Sequence, residues 1–351
     1  MEQAVNQLRN TCKERMSPNR LLLIMSLVVG FAQTTFCQEP AACADFAALV
    51  KATYNFKPSR LSDSERNSKS VAMDRFWDAV KAKQKELLPC LRTALASPDA
   101  DPWFRFDGSN LLVSLDPSPE SKAIQIRNCT TVDLDDVDLQ IWVSILAARG
   151  SEGFDVSEPG KRWLVYPKAK YYLPEHGVYE VRSQQGALFI FGSMDESQAT
   201  PALLKIISQR DHPGRETALL LLMSQATPEA LRALKQIDTR GFSNSTTTSL
   251  KALLNSPNLM KPRPRPKQSR EEFLKAFEEL LKGDPAWFLK MTQEVEDGEK
   301  DVIAVMKPED IPLIRKVRRR IIASSNQHAI EYYKSFTAIL MALTWRPELV
   351  K

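Results

Sequence analysis

The sequence of this chain predicts an all-α fold of short helices, with a minor irregular or β element within residues 98–192. Apolar residues recur three and four positions apart along most of the chain beyond residue 40, which is the spacing of an amphipathic helix. The chain also contains 22 Pro against only 12 Gly, and several prolines follow residues that cap helix N-termini. This composition favours helix starts and disfavours glycine-rich loops that hold phosphates.

The length and the charge of the chain bound its class. At 351 residues it is long enough for two modest domains or one extended repeat array. The formal net charge is +5, and residues 1–37 hold four basic and two acidic side chains, so the remainder carries only about +3. A charge this small and dispersed predicts no nucleic-acid partner.

Residues 1–37 have the pattern of a secretory signal peptide. An uninterrupted apolar stretch, LLLIMSLVVGFA, occupies residues 21–32 and is preceded by Arg15 and Arg20. Twelve residues are too few to span a bilayer, which needs about 20, so the stretch is interpreted as a leader and not as a membrane anchor. The sequence therefore predicts an exported protein that is periplasmic or secreted, with no transmembrane segment in the mature chain.

The ends of this leader are less defined. Translation from Met1 or from Met16 gives a workable leader, and cleavage fits after Ala32 or after Cys37. We prefer cleavage after Cys37, with Gln38 as the first mature residue. A lipid anchor at Cys37 ranks second, because the bulky Phe36 stands where a lipobox has a small residue.

Three cysteines remain beyond the leader, namely Cys43, Cys90 and Cys129. An oxidising compartment favours one disulfide with one cysteine left over. Cys43 opens one predicted helix and Cys90 lies near the far end of the next, so a helical hairpin over residues 38–97 would bring them together. A Cys43–Cys90 disulfide is thus our hypothesis, and burial of both as small apolar residues is the alternative. Pro89 is expected to kink or split the second helix.

The clearest helix signals lie between residues 195 and 254. Thr200 precedes Pro201 and Thr227 precedes Pro228, which is the pattern of an N-cap followed by the first helical residue. The helices that these signals begin are only ~9 to 12 residues long and need neighbours to bury their apolar stripes. We therefore predict a helical array over residues 98–255.

A proline-rich segment separates this array from the end of the chain. Residues 256–268, SPNLMKPRPRPKQ, contain four prolines and four basic residues. This composition predicts an extended, stiff linker. The helical pattern resumes in residues 269–351, which we expect to form a C-terminal helical subdomain.

The segment that ends the array resembles HEAT-type helical repeats. In those repeats the second helix carries an arginine, then a small residue and leucines, as Arg215, Ala218, Leu221 and Leu222 do here. The resemblance implies an alpha-alpha superhelix of HEAT-like helix pairs, also called an alpha-solenoid. Because that family consists of interaction scaffolds, it further implies a protein that binds other proteins and has no catalytic activity.

The chemically active residue types form no recognisable constellation. His176, His212 and His328 stand apart from ligands at helical spacing, so the sequence predicts no metal site and no cofactor. An acidic cluster lacks the glycine and the closing glutamate of an EF-hand, which favours helix capping over calcium binding; it comprises Asp133, Asp135, Asp136 and Asp138. An envelope hydrolase assembled from separate helices remains the alternative function.

One basic run stands out near the C-terminus. It is a candidate contact surface for an acidic partner, and a solvated helix face is the other interpretation. A further alternative function is salt-sensitive binding to anionic envelope surfaces through this run and residues 261–267. The run comprises Arg315, Lys316, Arg318, Arg319 and Arg320.

Overall fold

The computed structural model describes residues 41–54, 62–97, 99–134, 137, 139–166, 169–173, 177–181, 183–255, 261–282, 298–324 and 329–345. Within these ranges the chain forms α-helices, one 3-10 helix and one β-hairpin. The prediction of an all-α fold is confirmed. Several sequence predictions fall outside the described residues, namely those on the leader, Cys37, Asp135, Asp136, Asp138, His176 and His328.

Three helices form the N-terminal part, and they are α1 (Ala41–Thr53), α2 (Asp63–Ala82) and α3 (Gln84–Ala96). Helix α2 begins with a capping box between Ser62 and Glu65. The predicted break falls at Lys83 and not at Pro89, which lies inside α3. Proline disturbs the helical turn on its N-terminal side, and the break between α2 and α3 falls just before the turn that precedes Pro89.

The middle of the chain continues with α4 (Pro102–Leu115), α5 (Pro119–Thr131), α6 (Leu139–Ser151), α7 (Ser157–Val165), β1 (Ala169–Leu173), β2 (Gly177–Val181) and α8 (Ser183–Ser193). Asp101 caps α4 and is followed by proline at the first helical position. The two strands pair antiparallel, with Tyr171 opposite Tyr179. These strands form a small β element within residues 98–192, where the sequence analysis allowed for one.

The next helices are α9 (Glu196–Ser208), α10 (Arg215–Met223), α11 (Pro228–Gln236) and α12 (Asn244–Asn255). Thr227 caps α11 as the sequence predicts. The start predicted at Thr200 is wrong, because Asp195 caps the helix five residues earlier and Pro201 lies within α9. A proline in the second turn removes one N–H, and the upstream cap keeps the helix in place.

The last elements are α13 (Arg270–Lys282), α14 (Glu299–Val305), a 3-10 helix (Pro308–Asp310), α15 (Ile311–Ala323) and α16 (Ala329–Thr344). The described part of the predicted linker lies against α14. The backbone amide of Arg263 donates to Lys300 O (3.0 Å), and that of Lys267 donates to Asp301 Oδ2 (3.0 Å). This segment is therefore docked on a helix and does not stand free as a spacer.

Apolar side chains bury themselves in three clusters, one for each part of the chain. The central cluster contains Trp142 and Trp163, and Gly186 in α8 admits the second ring, because a Cβ there would lie 2.2 Å from Trp163 Cε2. Trp345, just after α16, joins this central cluster and donates through Nε1 to Thr227 O (2.9 Å). The C-terminal helices are thus anchored in the middle of the molecule.

Helix α15 packs on α6 and on α8, which lie far from it in sequence. In a simple solenoid each helix pair touches only its neighbours along the chain. The helices after residue 298 instead turn back onto those before residue 194. A superhelical stacking of HEAT-like pairs therefore stays a prediction for residues 195–255.

Candidate binding pocket

The basic run divides among three environments along α15. Lys316 and Arg320 are exposed, Arg315 and Arg319 are half-buried, and Arg318 is only 1% exposed. Arg318 shares the buried face with Ile314 and Ile321, which lie four residues before it and three after it. The interpretation of the run as one contact surface therefore needs correction, because Arg318 belongs to the interior.

Arg318 is held by acceptors from three different parts of the chain. Its Nη2 donates to Glu196 Oε1 (2.7 Å) and to Gln225 O (3.2 Å). Its Nη1 donates to Ser224 O (2.9 Å) and to Thr337 Oγ1 (3.2 Å). A planar guanidinium with several donors suits such a site, since one buried charge is matched by a carboxylate and several other oxygens.

Arg319 binds two carboxylates at the start of α9. Its Nη1 donates to Asp195 Oδ2 (2.7 Å) and to Glu196 Oε2 (2.9 Å). Asp195 also accepts at Oδ1 from the backbone amide of Ser197 (3.0 Å), which caps the helix. Burial alone would raise the pKa of Asp195, but hydrogen bonds from Ser197 and the nearby Arg319 guanidinium hold that pKa below its usual value.

A pocket of about 590 Å³ opens where the first turns of α9 and α11 meet α15. Its volume is in the range of small-ligand sites. The wall combines charged and hydroxyl side chains with two prolines and a leucine. These lining residues are Asp195, Glu196, Ser197, Thr200, Pro201, Leu204, Thr227, Glu229, Pro312, Arg315 and Arg319. We call this site the α9–α15 pocket.

Two polar atoms that border the α9–α15 pocket have no hydrogen-bond partner. One is Nε of Arg315, and the other is Oγ1 of Thr200, whose residue is only 6% exposed. Buried polar groups are nearly always hydrogen-bonded in folded proteins, and those that are not often border a place where a ligand or water binds. The pocket is thus bordered by one guanidinium and one hydroxyl group whose hydrogen-bonding capacity the described residues do not fully use.

A second, apolar cavity of about 330 Å³ lies between α8, α10 and α16. Leu188, Leu220 and Met341 contribute to its wall, together with Tyr333 and Thr337. The guanidinium of Arg318 stacks over the Tyr333 ring, 5.0 Å from its centroid. Arg318 therefore connects the two sites, since it binds Glu196 of the α9–α15 pocket and Thr337 of this cavity.

Other candidate residues have structural surroundings. The backbone amide of Gly214 donates to His212 Nδ1 (3.1 Å), so His212 stabilises the loop before α10. Cys43 and Cys90 form a disulfide that links α1 to α3, with Cα atoms 5.0 Å apart. Cys129 is a free, fully buried thiol, and burial raises its pKa to about 12. The described residues contain no group of His, Cys, Asp and Glu that could hold a metal ion.

The charge pattern of the sequence identifies two of the eleven residues that line this pocket, namely Arg315 and Arg319. It gives Asp195, Glu196 and Thr200 no role in a site. The charged residues of the pocket come from positions 195–196, 229 and 315–319, and the first and the last of these groups are more than 100 residues apart. The local signal for the acidic side of the pocket was the sequence Asp195-Glu196-Ser197, which is typical of a helix cap and does not indicate a binding site.

Comparison of this chain with protein-family models, with curated proteins and with solved structures gives no match. The HEAT-like resemblance of residues 195–255 accordingly stays a prediction. The fold and the pocket define a class, namely an all-α protein whose C-terminal helices close a charged pocket against its middle helices. Of the helices that the structure describes, none combines the length and apolarity that crossing a membrane requires.

Proposed function

We propose that this chain is an exported helical scaffold that binds another protein, and that the α9–α15 pocket is part of its recognition surface. One observation carries this proposal. Arg315 and Thr200 border the same pocket, and each has a polar atom that the described part of the chain leaves unpaired. A partner group that accepts these hydrogen bonds would remove the cost of leaving them unpaired.

The state of the other charges in the pocket favours binding over catalysis. Asp195 and Glu196 are each held by arginine, and the pKa of Asp195 lies below its usual value. A general acid or base works best with a pKa near the working pH, and a carboxylate with a lowered pKa does not meet that requirement. These carboxylates are better suited to holding Arg318 and Arg319 in place.

Export is the second part of the proposal. It is supported by the leader pattern of residues 1–37 and by the disulfide between Cys43 and Cys90, since such bonds persist in oxidising compartments. We further propose that helices α9 to α12 stack as HEAT-like pairs, which would present loops and helix starts along one edge to a partner.

Site-specific photo-crosslinking tests the scaffold. A photoreactive phenylalanine replaces Glu229, which is exposed at the start of α11 and borders the pocket. The matched control replaces Glu86, an exposed glutamate in the first turn of α3. We expect one discrete protein to crosslink from position 229 and not from position 86, and to bind the purified chain in a reconstituted pair.

A salt series separates the alternatives. A partner that persists at moderate salt supports the scaffold. Binding that is lost with salt and involves only polyanions favours the alternative of anionic envelope surfaces. The exposed charges for such binding are Lys316 and Arg320, together with Lys261, Arg265 and Lys267 of the proline-rich segment. Absence of any crosslink from position 229 under both conditions contradicts the proposed function.

A further inference from the structure

We infer that the α9–α15 pocket binds a peptide carboxylate, either a C-terminus or an acidic side chain, with Arg315 as its ion-pair partner and Thr200 as a hydrogen-bond donor. This inference rests on the proposed function and specifies the chemistry of the group that enters the pocket.

Arg315 is the pocket arginine that the described residues leave unpaired. Its neighbour Arg319 binds Asp195 and Glu196, whereas no ion pair or side-chain hydrogen bond among the described residues involves Arg315. Its Nε is removed from solvent without an acceptor. Desolvating part of a guanidinium without an anion is unfavourable, and a bound carboxylate would supply both charge and acceptor atoms.

Thr200 is an independent indication of a ligand in the same pocket. The residue is 6% exposed, and its hydroxyl has no hydrogen-bond partner among the described residues, including the preceding turn of α9. Threonine inside a helix commonly bonds to the carbonyl four residues earlier, which makes an unpaired hydroxyl here informative. A carboxylate that receives a bond from Arg315 has a second oxygen for Thr200.

The charge of the wall gives a phosphate no advantage over a carboxylate. Three carboxylates and two guanidiniums line the pocket, from Asp195, Glu196, Glu229, Arg315 and Arg319. Because attraction and repulsion both scale with the charge of the ligand, a wall without an excess of positive groups does not favour a dianionic phosphate over a monoanionic carboxylate. The apolar wall of Pro201, Leu204 and Pro312 suits the hydrocarbon part of an adjacent side chain.

Three small probes test the ligand class on the full chain. N-acetyl-leucine carries a terminal carboxylate, N-acetyl-aspartic acid α-amide carries a side-chain carboxylate, and N-acetyl-leucinamide carries none. Isothermal titration and leucine-methyl NMR shifts measure binding. We expect at least one carboxylate to bind at least tenfold more tightly than the uncharged amide, and the tighter of the two identifies the source. Inorganic phosphate is expected to bind more weakly than that carboxylate.

Two variants connect the binding to the named residues. Arg315→Met should abolish the preference for carboxylate, whereas Lys316→Met, one exposed residue further along α15, should leave it unchanged. Thr200→Val removes only a hydroxyl that has no partner, so it should fold normally and bind the carboxylate several-fold more weakly. The Thr200→Val result keeps the test valid even if Arg315→Met folds poorly.

Two results with the probes would overturn the inference: the amide binds as tightly as both carboxylates, or phosphate binds more tightly than the better carboxylate. It is also overturned if Thr200→Val and Arg315→Met bind the carboxylate like the wild type, or if no probe binds at millimolar concentration. Its failure is distinct from failure of the scaffold. A partner that crosslinks from position 229 equally in the Arg315→Met variant removes the carboxylate site and leaves the scaffold. Carboxylate binding without any crosslinked partner would instead keep the carboxylate site and remove the scaffold.

Discussion

At the scale of single residues, Asp107 is a carboxylate placed among aromatic side chains. Tyr54 Oη donates to its Oδ2 (2.8 Å), and Trp77 Nε1 donates to the same oxygen (2.9 Å). Burial raises the pKa of Asp107, and the two hydrogen bonds only partly oppose that rise. The N-terminal core therefore contains a carboxylate whose charge is costly at neutral pH but which accepts from the buried Tyr54 and the half-buried Trp77.

This arrangement predicts a pH-dependent stability. A carboxylate whose folded pKa lies above its unfolded value adds stability that is complete below the unfolded value, about 4, and is lost as pH rises through the folded pKa. Asp107→Asn keeps an acceptor for Tyr54 and Trp77 without the charge. Its urea midpoint should therefore decline less between pH 4 and 7 than that of the wild type. The exposed Asp78→Asn is the control, and equal slopes for Asp107→Asn and wild type would contradict the argument.

Cys129 offers a second residue-scale prediction. Because the thiol is fully buried and its pKa is raised to about 12, very little thiolate exists at pH 8. We expect iodoacetamide to leave the peptide that contains Cys129 unmodified in the native protein and to alkylate it completely in guanidinium. Peptide mapping without reduction should also recover Cys43 joined to Cys90. Rapid native alkylation of Cys129 would mean that its surroundings open readily.

At the scale of elements, helix starts depend on the capping side chain more than on the proline. Thr227 and Pro228 begin α11 together, as the sequence predicts. Pro89 and Pro201 lie inside helices, and neither marks a helix start. The side chain of Asp195 caps α9, whereas α3 begins after Lys83 without a side-chain cap. A cap satisfies free amides of the first turn, whereas a proline within the second turn removes only one hydrogen bond.

Removal of the α11 cap should have a measurable cost. Thr227 Oγ1 accepts from the backbone amide of Ala230 (3.0 Å), and the residue is only 3% exposed. Thr227→Ala should lower the free energy of unfolding by about 1 kcal/mol, which is typical of a lost N-cap. Thr248→Ala, at an exposed interior position of α12, should change it by less than about 0.5 kcal/mol. Similar values for both variants in urea denaturation would count against the capping argument.

At the scale of the whole molecule, Arg318 joins the middle and the C-terminal helices. It binds Glu196 at the start of α9, the carbonyls of Ser224 and Gln225, and Thr337 in α16. Trp345 makes a second connection through Thr227 O. The same contacts place Arg315 and Arg319 opposite α9, so the α9–α15 pocket exists only when the two parts are assembled.

Arg318→Met should therefore destabilise the whole assembly. Glu196 would keep only Arg319, and several buried oxygens would lose their donor. We expect a loss of about 3 kcal/mol or more in the free energy of unfolding by urea. Arg320→Met, on the exposed face of the same helix, should cost less than about 0.5 kcal/mol. If both variants unfold at the same urea concentration, Arg318 does not hold the parts together.

The local chemistry of the sequence was sufficient to predict the helical class and the cap at Thr227, because periodicity and capping act over a few neighbouring residues. It left open whether residues 98–192 hold a small sheet, and the hairpin lies at residues 169–181. Only the tertiary structure decided that Arg318 is interior and that Arg315 lines the same pocket as Asp195 and Thr200. Those facts depend on which distant helix packs against α15. The charge pattern along one helix does not distinguish a solvated arginine from a buried one. Arg318 is buried because it pairs with a carboxylate more than 100 residues away in sequence.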